Sequence, residues 1–252
     1  MPSPRIVITV QAPFRSSDPD GSRRKNARYV EAVSRDGVTV TTIDETADEA
    51  TRSWTFASMD GLLMSGGADV HPARYGETLD GSLDIETERD RLEAEAFATA
   101  VRRGVPVLGI CRGLQAINIF SGGGLLQDVP GHMGASYGKG PAATHPLQVV
   151  IGTRLAGWLG DPAALEVNSY HHQGIRAGDL APGLVASAWA DSEAGPLVEG
   201  LESADAGRFI AGIQCHPERT ESTPAAFERL FAAFVAAAVA HAEARPTVAS
   251  PR

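Results

Sequence analysis

The chain has 252 residues, 43% hydrophobic and 21% charged, a balance that does not fit a disordered chain and allows one large α/β domain with a full core. Its 22 basic and 31 acidic residues give a formal charge of −9, which argues against nucleic acid and anionic membranes as partners. Two cysteines are too few for a disulfide scaffold, the start MPSPRIVITVQAP lacks an apolar leader, and no run reaches transmembrane length. A reducing cytoplasm with free thiols is therefore expected, a Cys111–Cys215 bridge being the alternative.

Along the chain, Arg5 to Val10 reads as a buried strand. A turn-rich loop over 14–22 leads into a helix over Arg23 to Asp36, with Ala27, Val30 and Val33 on one side and Gly37 as its stop. Val38 to Thr42 is β-branched and strand-like. Gly61 to Met64 is a short buried strand ending in Ser65-Gly66-Gly67, and a loop covers 71–88. Asp90 to Arg103 is a helix with Leu92, Ala96, Phe97, Ala100 and Val101 on one face. Val105 to Ile110 is a strand, and the chain turns helical from Cys111. Later strands are expected at Leu147–Ile151, Val185–Trp189, Leu197–Leu201 and Phe209–Gln214. A last helix begins near Pro224, with Thr223 as N-cap and a core stripe of Phe227, Leu230, Phe231, Phe234 and Val235. Near-continuous apolar strands alternating with helices predict a mostly parallel sheet covered on both faces. One domain over 1–252 is expected, with its core at about 5–240 and a disordered tail over 241–252.

The densest chemical signal is Gly109-Ile110-Cys111-Arg112-Gly113, between an apolar strand and an apolar-periodic helix. This is a thiol version of the G-x-S-x-G nucleophile elbow. Small residues flank Cys111 because strand and helix must pass closely there. The turn projects the nucleophile from the carboxyl edge of the sheet, at a helix N-terminus whose partial positive charge favours an anion. The backbone N–H of Arg112 is left to stabilise an oxyanion. Cys215, inside the apolar run FIAGIQC, reads instead as a packed thiol.

A thiol nucleophile needs a base and a group that orients the base. In GIQCHPE, residues 212–218, His216 follows a buried strand and Glu218 can reach back to its imidazole and fix the tautomer. The two glycines after the strand GLLM free backbone N–H groups, and Gly67 is assigned as the second oxyanion donor.

These residues carry a family likeness. GICRG, SGGAD and HPE together resemble class I glutamine amidotransferase domains, and more closely the gamma-glutamyl-gamma-aminobutyrate hydrolase group, a cysteine peptidase family designated C26. Its marks stand in order over roughly residues 5–240: GGADVHPARYGE at 66–77, ERDRLE at 88–93, PVLGICRGLQAINIFSGGGLLQDVP at 106–130, VNSYHHQGI at 167–175, and GIQCHPE. The resemblance implies a flavodoxin-like fold, a Cys111–His216–Glu218 triad, and hydrolysis of a small gamma-glutamyl amide through a thioester. It places Gln115 on the glutamyl moiety and Ser169, Tyr170 and His171 along the substrate pocket. No cofactor is expected, and the residues speak against a metal: the adjacent side chains of His171 and His172 diverge, and no helical histidine pair or cysteine cluster accompanies them. A homodimer is a family-level expectation. The sequence departs from the family where Cys215 replaces an aromatic, in ADSEAGPLVEGLE at 190–202, and in VTVTTIDE at 38–45. Three functions compete: a stand-alone gamma-glutamyl hydrolase of polyamine or amine catabolism, a glutaminase subunit feeding ammonia to a separate synthase, and a non-catalytic binding relative.

Overall fold

Ile6 and Ile8 pack on one side of the first strand and Val7 on the other; Leu63 and then Leu62 with Met64 do the same in the strand paired beside it. Every one of these side chains is buried, so the sheet is covered on both faces and its strands read as continuous apolar runs. The computed structural model describes residues 3–130, 143–160, 162 and 164–245. Its elements are β1 (Arg5–Thr9), α1 (Pro19–Val33), β2 (Thr39–Ile43), α2 (Glu49–Ser58), β3 (Gly61–Met64), α3 (Thr87–Arg103), β4 (Val107–Ile110) and α4 (Arg112–Phe120). They continue with β5 (Ala143–Val149), α5 (Arg154–Leu159), β6 (Ala164–Ser169), β7 (Ile175–Arg176), β8 (Leu184–Ala190), β9 (Leu197–Ser203), β10 (Ile210–Ile213) and α6 (Glu228–Ala244).

The sheet runs in the order β2-β1-β3-β4-β10-β9-β8-β5-β6, with β7 added beside β9. From β2 to β10 all pairings are parallel. From β10 onward they are antiparallel. The α/β, doubly covered architecture is the one the sequence predicts. The parallel expectation fits the first half; β9 and β8 pair the other way. Helices α1, α5 and α6 pack with one core cluster, and α2, α3 and α4 with the other.

Several boundaries differ from the sequence expectations for local reasons. Helix α1 starts at Pro19, inside the expected loop, because Asp18 accepts a hydrogen bond from the Gly21 amide at 2.9 Å and proline fits the first turn. Helix α2 was not expected. It is capped by Asp48, whose carboxylate accepts from the Thr51 amide, but it buries only Thr55 and Phe56 and so shows no apolar stripe. Strand β5 ends at Val149, and Ile151, expected inside it, is 83% exposed in the following turn. Thr223 is not the N-cap of the last helix: its hydroxyl donates to the Arg219 carbonyl at 2.9 Å, and a short 3₁₀ turn over Ala225–Phe227 precedes α6. The tail expected from 241 is helical as far as Ala244, while 246–252 lie outside the described residues. By length and composition the stretch Ala225–Ala244 could cross a bilayer, but its Leu230, Phe231, Phe234 and Val235 are buried in the core.

Candidate active site

Cys111 sits between β4 and α4 with φ 54°, ψ −109°, a conformation that L-residues seldom adopt. Two close approaches hold it there. A Cβ on Gly113 would collide with the Met64 carbonyl oxygen, and a Cβ on Gly109 with the backbone of Gly113. The glycines of the elbow are therefore required by backbone packing, which has no rotamer with which to give way. The Cys111 amide donates to Ile213 of β10 at 2.8 Å, tying the nucleophile turn to the strand that delivers His216.

His216 follows β10 and lies buried close to Cys111, whose charge acts on its imidazole. Its Nδ1 lies 2.7 Å from Glu218 Oε1, so the proton on Nδ1 faces the carboxylate and Nε2 is left for the thiol side. Burial pulls the imidazole down, but the charges of Glu218 and Cys111 outweigh it and its pKa is pushed up to about 9. Burial likewise opposes ionisation of Glu218, yet the His216 charge and hydrogen bond, helped by Arg219, hold its carboxyl below the usual range. Cys215 is fully buried and desolvation raises its thiol well above the ordinary value, as a packed thiol requires. Both cysteines are free, so the alternative of a bridge falls.

A cavity of about 700 Å³ opens over this group. Cys111, His216, Gly66, Gly67, Tyr170 and His172 line it. Its outer wall carries both signs of charge, Arg15, Lys25 and Arg219 against Asp69, Asp84 and Glu86. Tyr170 stands edge-on to the His216 ring at 5.6 Å, and the Arg219 guanidinium lies 4.0 Å from the Tyr170 ring. His172 is bound by two carboxylates, Asp69 at 2.9 Å and Asp128 at 3.3 Å, and the Asp69 hydrogen bond leads the shift that raises its pKa. Gln115, Ser169 and His171 are buried and do not line the cavity. Gln115 is one step removed: its amide donates to Gln214 Oε1 at 3.1 Å, and Gln214 donates to Cys111 Sγ at 3.4 Å. His171 turns the opposite way from His172 and faces Glu199, whose carboxyl burial pushes up to about 8.

Two supports were not read as such from the sequence. Asn168, at the end of β6, both accepts from the His216 amide at 2.8 Å and donates to the His216 carbonyl at 3.1 Å. The ERDRLE segment supplies the other. Arg89, fully buried on α3, donates to the carbonyls of Ser65 and Gly66 at 3.1 and 3.0 Å and to Glu93. A Cβ at Gly67, where φ is 151°, would run into the same guanidinium. Arg112 turns its side chain back to Asp90 and Glu93. Burial opposes the charge on Arg112, but Glu93 and Asp90 raise its pKa. The helix pattern gives a signal for this brace: charged residues at 89, 90 and 93 share the buried face with Leu92 and Ala96.

The peptidase C26 family model matches residues 7–218. A Mycobacterium tuberculosis protein that bears a glutamine amidotransferase name is 36% identical over 231 residues, covering 90% of this chain and 71% of its own. The gamma-glutamyl-gamma-aminobutyrate hydrolase PuuD of Escherichia coli is 31% identical over 195 residues, 73% of each chain. Among solved structures, the glutaminase domain of Trypanosoma brucei CTPS with bound acivicin superposes with a TM-score of 0.63 at 17% identity over 94% of each chain. A glutamine amidotransferase from Methylobacillus flagellatus gives 0.62 at 17% identity over the full length of both. The fold is that of the class I glutamine amidotransferases, and the chain belongs to the peptidase C26 family.

Proposed function

We propose that the protein hydrolyses a gamma-glutamyl amide through a thioester on Cys111. The observation that carries this reading is Cys111 and His216 together in the cavity lining, with Glu218 behind His216 and its Oε1 2.7 Å from Nδ1. Cys111 Sγ attacks the gamma carbonyl, and the amides of Gly67 and Arg112 hold the oxyanion. His216, protonated at neutral pH by its pKa of about 9, gives a proton to the departing amine. Water then attacks the thioester, returning the thiol and releasing glutamate. The mixed charges of the outer wall suit the zwitterionic end of a glutamyl group. The reaction needs no cofactor, and both thiols stay free in a reducing cytoplasm.

Purified protein is to be assayed with glutamine, gamma-glutamyl-aminobutyrate and a gamma-glutamyl polyamine. The substituted amides are expected to give the higher kcat/KM, and Cys111→Ala to remove both turnover and labelling by a glutamine-mimicking electrophile while Cys215→Ala keeps both. A wall methylene is worth about 1–3 kcal/mol, so the preference among amines is expected to be modest. The glutamine amidotransferase name of the mycobacterial relative supports a second reading, a glutaminase subunit serving a separate synthase. A clear preference for glutamine selects it.

A further inference from the structure

We propose that His145, His171 and Glu199 form a binding site for a divalent transition-metal ion, zinc by its donor set, on the antiparallel side of the sheet. The three residues come from β5, from the loop after β6 and from β9, and one ligand atom of each lies within 4.8 Å of the others.

Four observations carry this. Among the described residues, both carboxylate oxygens of Glu199 are buried without a hydrogen-bond partner. A carboxyl group so enclosed stays neutral unless a cation or donors meet its ionised form. The spacing is too wide for direct hydrogen bonds and suits an ion between the groups. His171 Nε2 is 3.5 Å from Glu199 Oε1, and His145 Nε2 is 3.8 Å from Glu199 Oε2. Tetrahedral zinc with bonds of about 2.0–2.1 Å sets its ligand atoms roughly 3.3–3.5 Å apart. Each histidine also has its other nitrogen on a backbone carbonyl. His171 Nδ1 lies 2.8 Å from the Gln173 carbonyl and His145 Nδ1 3.2 Å from that of Pro146. A carbonyl only accepts, so each Nδ1 carries the proton and each Nε2 turns a lone pair toward Glu199, the arrangement that outer-shell partners impose on metal-bound imidazoles. Finally, two imidazoles with one carboxylate suit zinc and its neighbours in the first row rather than magnesium or calcium, which take oxygen ligands.

The ion would act by position. His171 lies between Tyr170 and His172, which line the cavity, so the site would fasten that wall to β5 and β9. The Glu199 carbonyl accepts from the Gln214 amide at 2.8 Å, and Gln214 donates to Cys111. Among the three, His145 alone keeps appreciable exposure, 14% of its side chain, which gives the ion an entry.

The test is metal analysis of the whole chain after dialysis against zinc sulfate, with affinity measured by competition against a chromophoric chelator. About one zinc per chain is expected, with a thermal midpoint that rises on zinc addition and falls on chelation. Glu199→Gln and His145→Gln should each weaken zinc by at least about 100-fold and abolish the zinc-dependent shift. Cys111→Ala should bind as the wild type does. His145→Gln stands at the least buried ligand, so it keeps the test open if Glu199→Gln fails to fold. Absence of stoichiometric zinc in the wild-type chain overturns the site and leaves a metal-free histidine–carboxyl cluster. Zinc that survives both ligand variants and leaves with Cys111→Ala also overturns it, placing the ion at the thiol. A preference for iron(II) or manganese(II) over zinc in the same competition overturns the choice of metal.

Discussion

The parallel strands β2, β1, β3, β4 and β10 differ from the antiparallel strands β9, β8, β5 and β6 in what their ends present. In the parallel half, the carboxyl ends of β3, β4 and β10 deliver Gly67, Cys111 and His216 to one edge, because parallel strands all finish on the same side. The antiparallel half cannot gather chemistry that way, since alternate strands end on opposite sides. It supplies what stands around the chemistry instead: Asn168 against the His216 backbone, Tyr170 and His172 in the cavity wall, and the buried Glu199 cluster. Tolerance should differ accordingly. The nucleophile elbow holds backbone against backbone at Gly109 and Gly113, while Gly200 of β9 packs against side chains.

The comparison is tested hardest by a pair of glycines. Gly113→Ala drives a methyl into the Met64 carbonyl, and Gly200→Ala of β9 meets only the side chains of Ser187, Ala188 and Leu155 at 2.8–3.0 Å. Chemical denaturation should show a loss of about 4 kcal/mol or more for the first, or no folded protein, against roughly 1–3 kcal/mol for the second. Equal losses would erase the distinction between the halves. Next in size, Glu218→Gln should lower kcat by about 10²–10⁴-fold while circular dichroism stays native, because the base loses its orienting carboxylate. Full turnover in a stable Glu218→Gln protein removes that role.

A smaller effect is read in pH. His216 rises from its ordinary 6.5 to about 9 in the folded chain, so folding binds its proton more tightly. The resulting stability is fully present below about pH 6.5 and is lost as pH climbs through 9. Glu218 works in the opposite sense, its contribution being present above its ordinary 4.5 and lost as acid protonates it. Thermal midpoints should therefore fall between pH 6.5 and 9, and fall less steeply in Glu218→Gln. The smallest expected change is at the partly exposed Arg28–Glu221 pair, 2.7 Å apart outside the site. Glu221→Gln should shift stability by no more than about 1 kcal/mol.

Much of the parallel half was legible in the sequence because its strands carry uninterrupted apolar runs and end in motifs whose glycines and histidine have local meaning. The antiparallel half was harder. Strand β6, ALEVNS, mixes exposed and buried positions and gives no run to read, and β7 has two residues. Gln115, Ser169 and His171 were assigned to the substrate by position in a motif, but burial and the direction of a side chain depend on pairing across the sheet. That is why the neighbours His171 and His172 separate, one toward Glu199 and the other toward Asp69 and the cavity. Arg89 escaped for a related reason: a buried arginine on an exposed-looking ERDRLE segment is recognisable only once its carbonyl partners are in place.

Asn168 grips both the amide and the carbonyl of His216, and two residues later the same strand end supplies Tyr170 to the cavity wall. Tyr170 in the cavity wall and the His216 imidazole thus hang from one hinge pin. A substitution that remodels this stretch moves the His216 backbone with it. At Arg15, Lys25 or Asp84, by contrast, a side chain of the cavity wall can change without dragging His216 along.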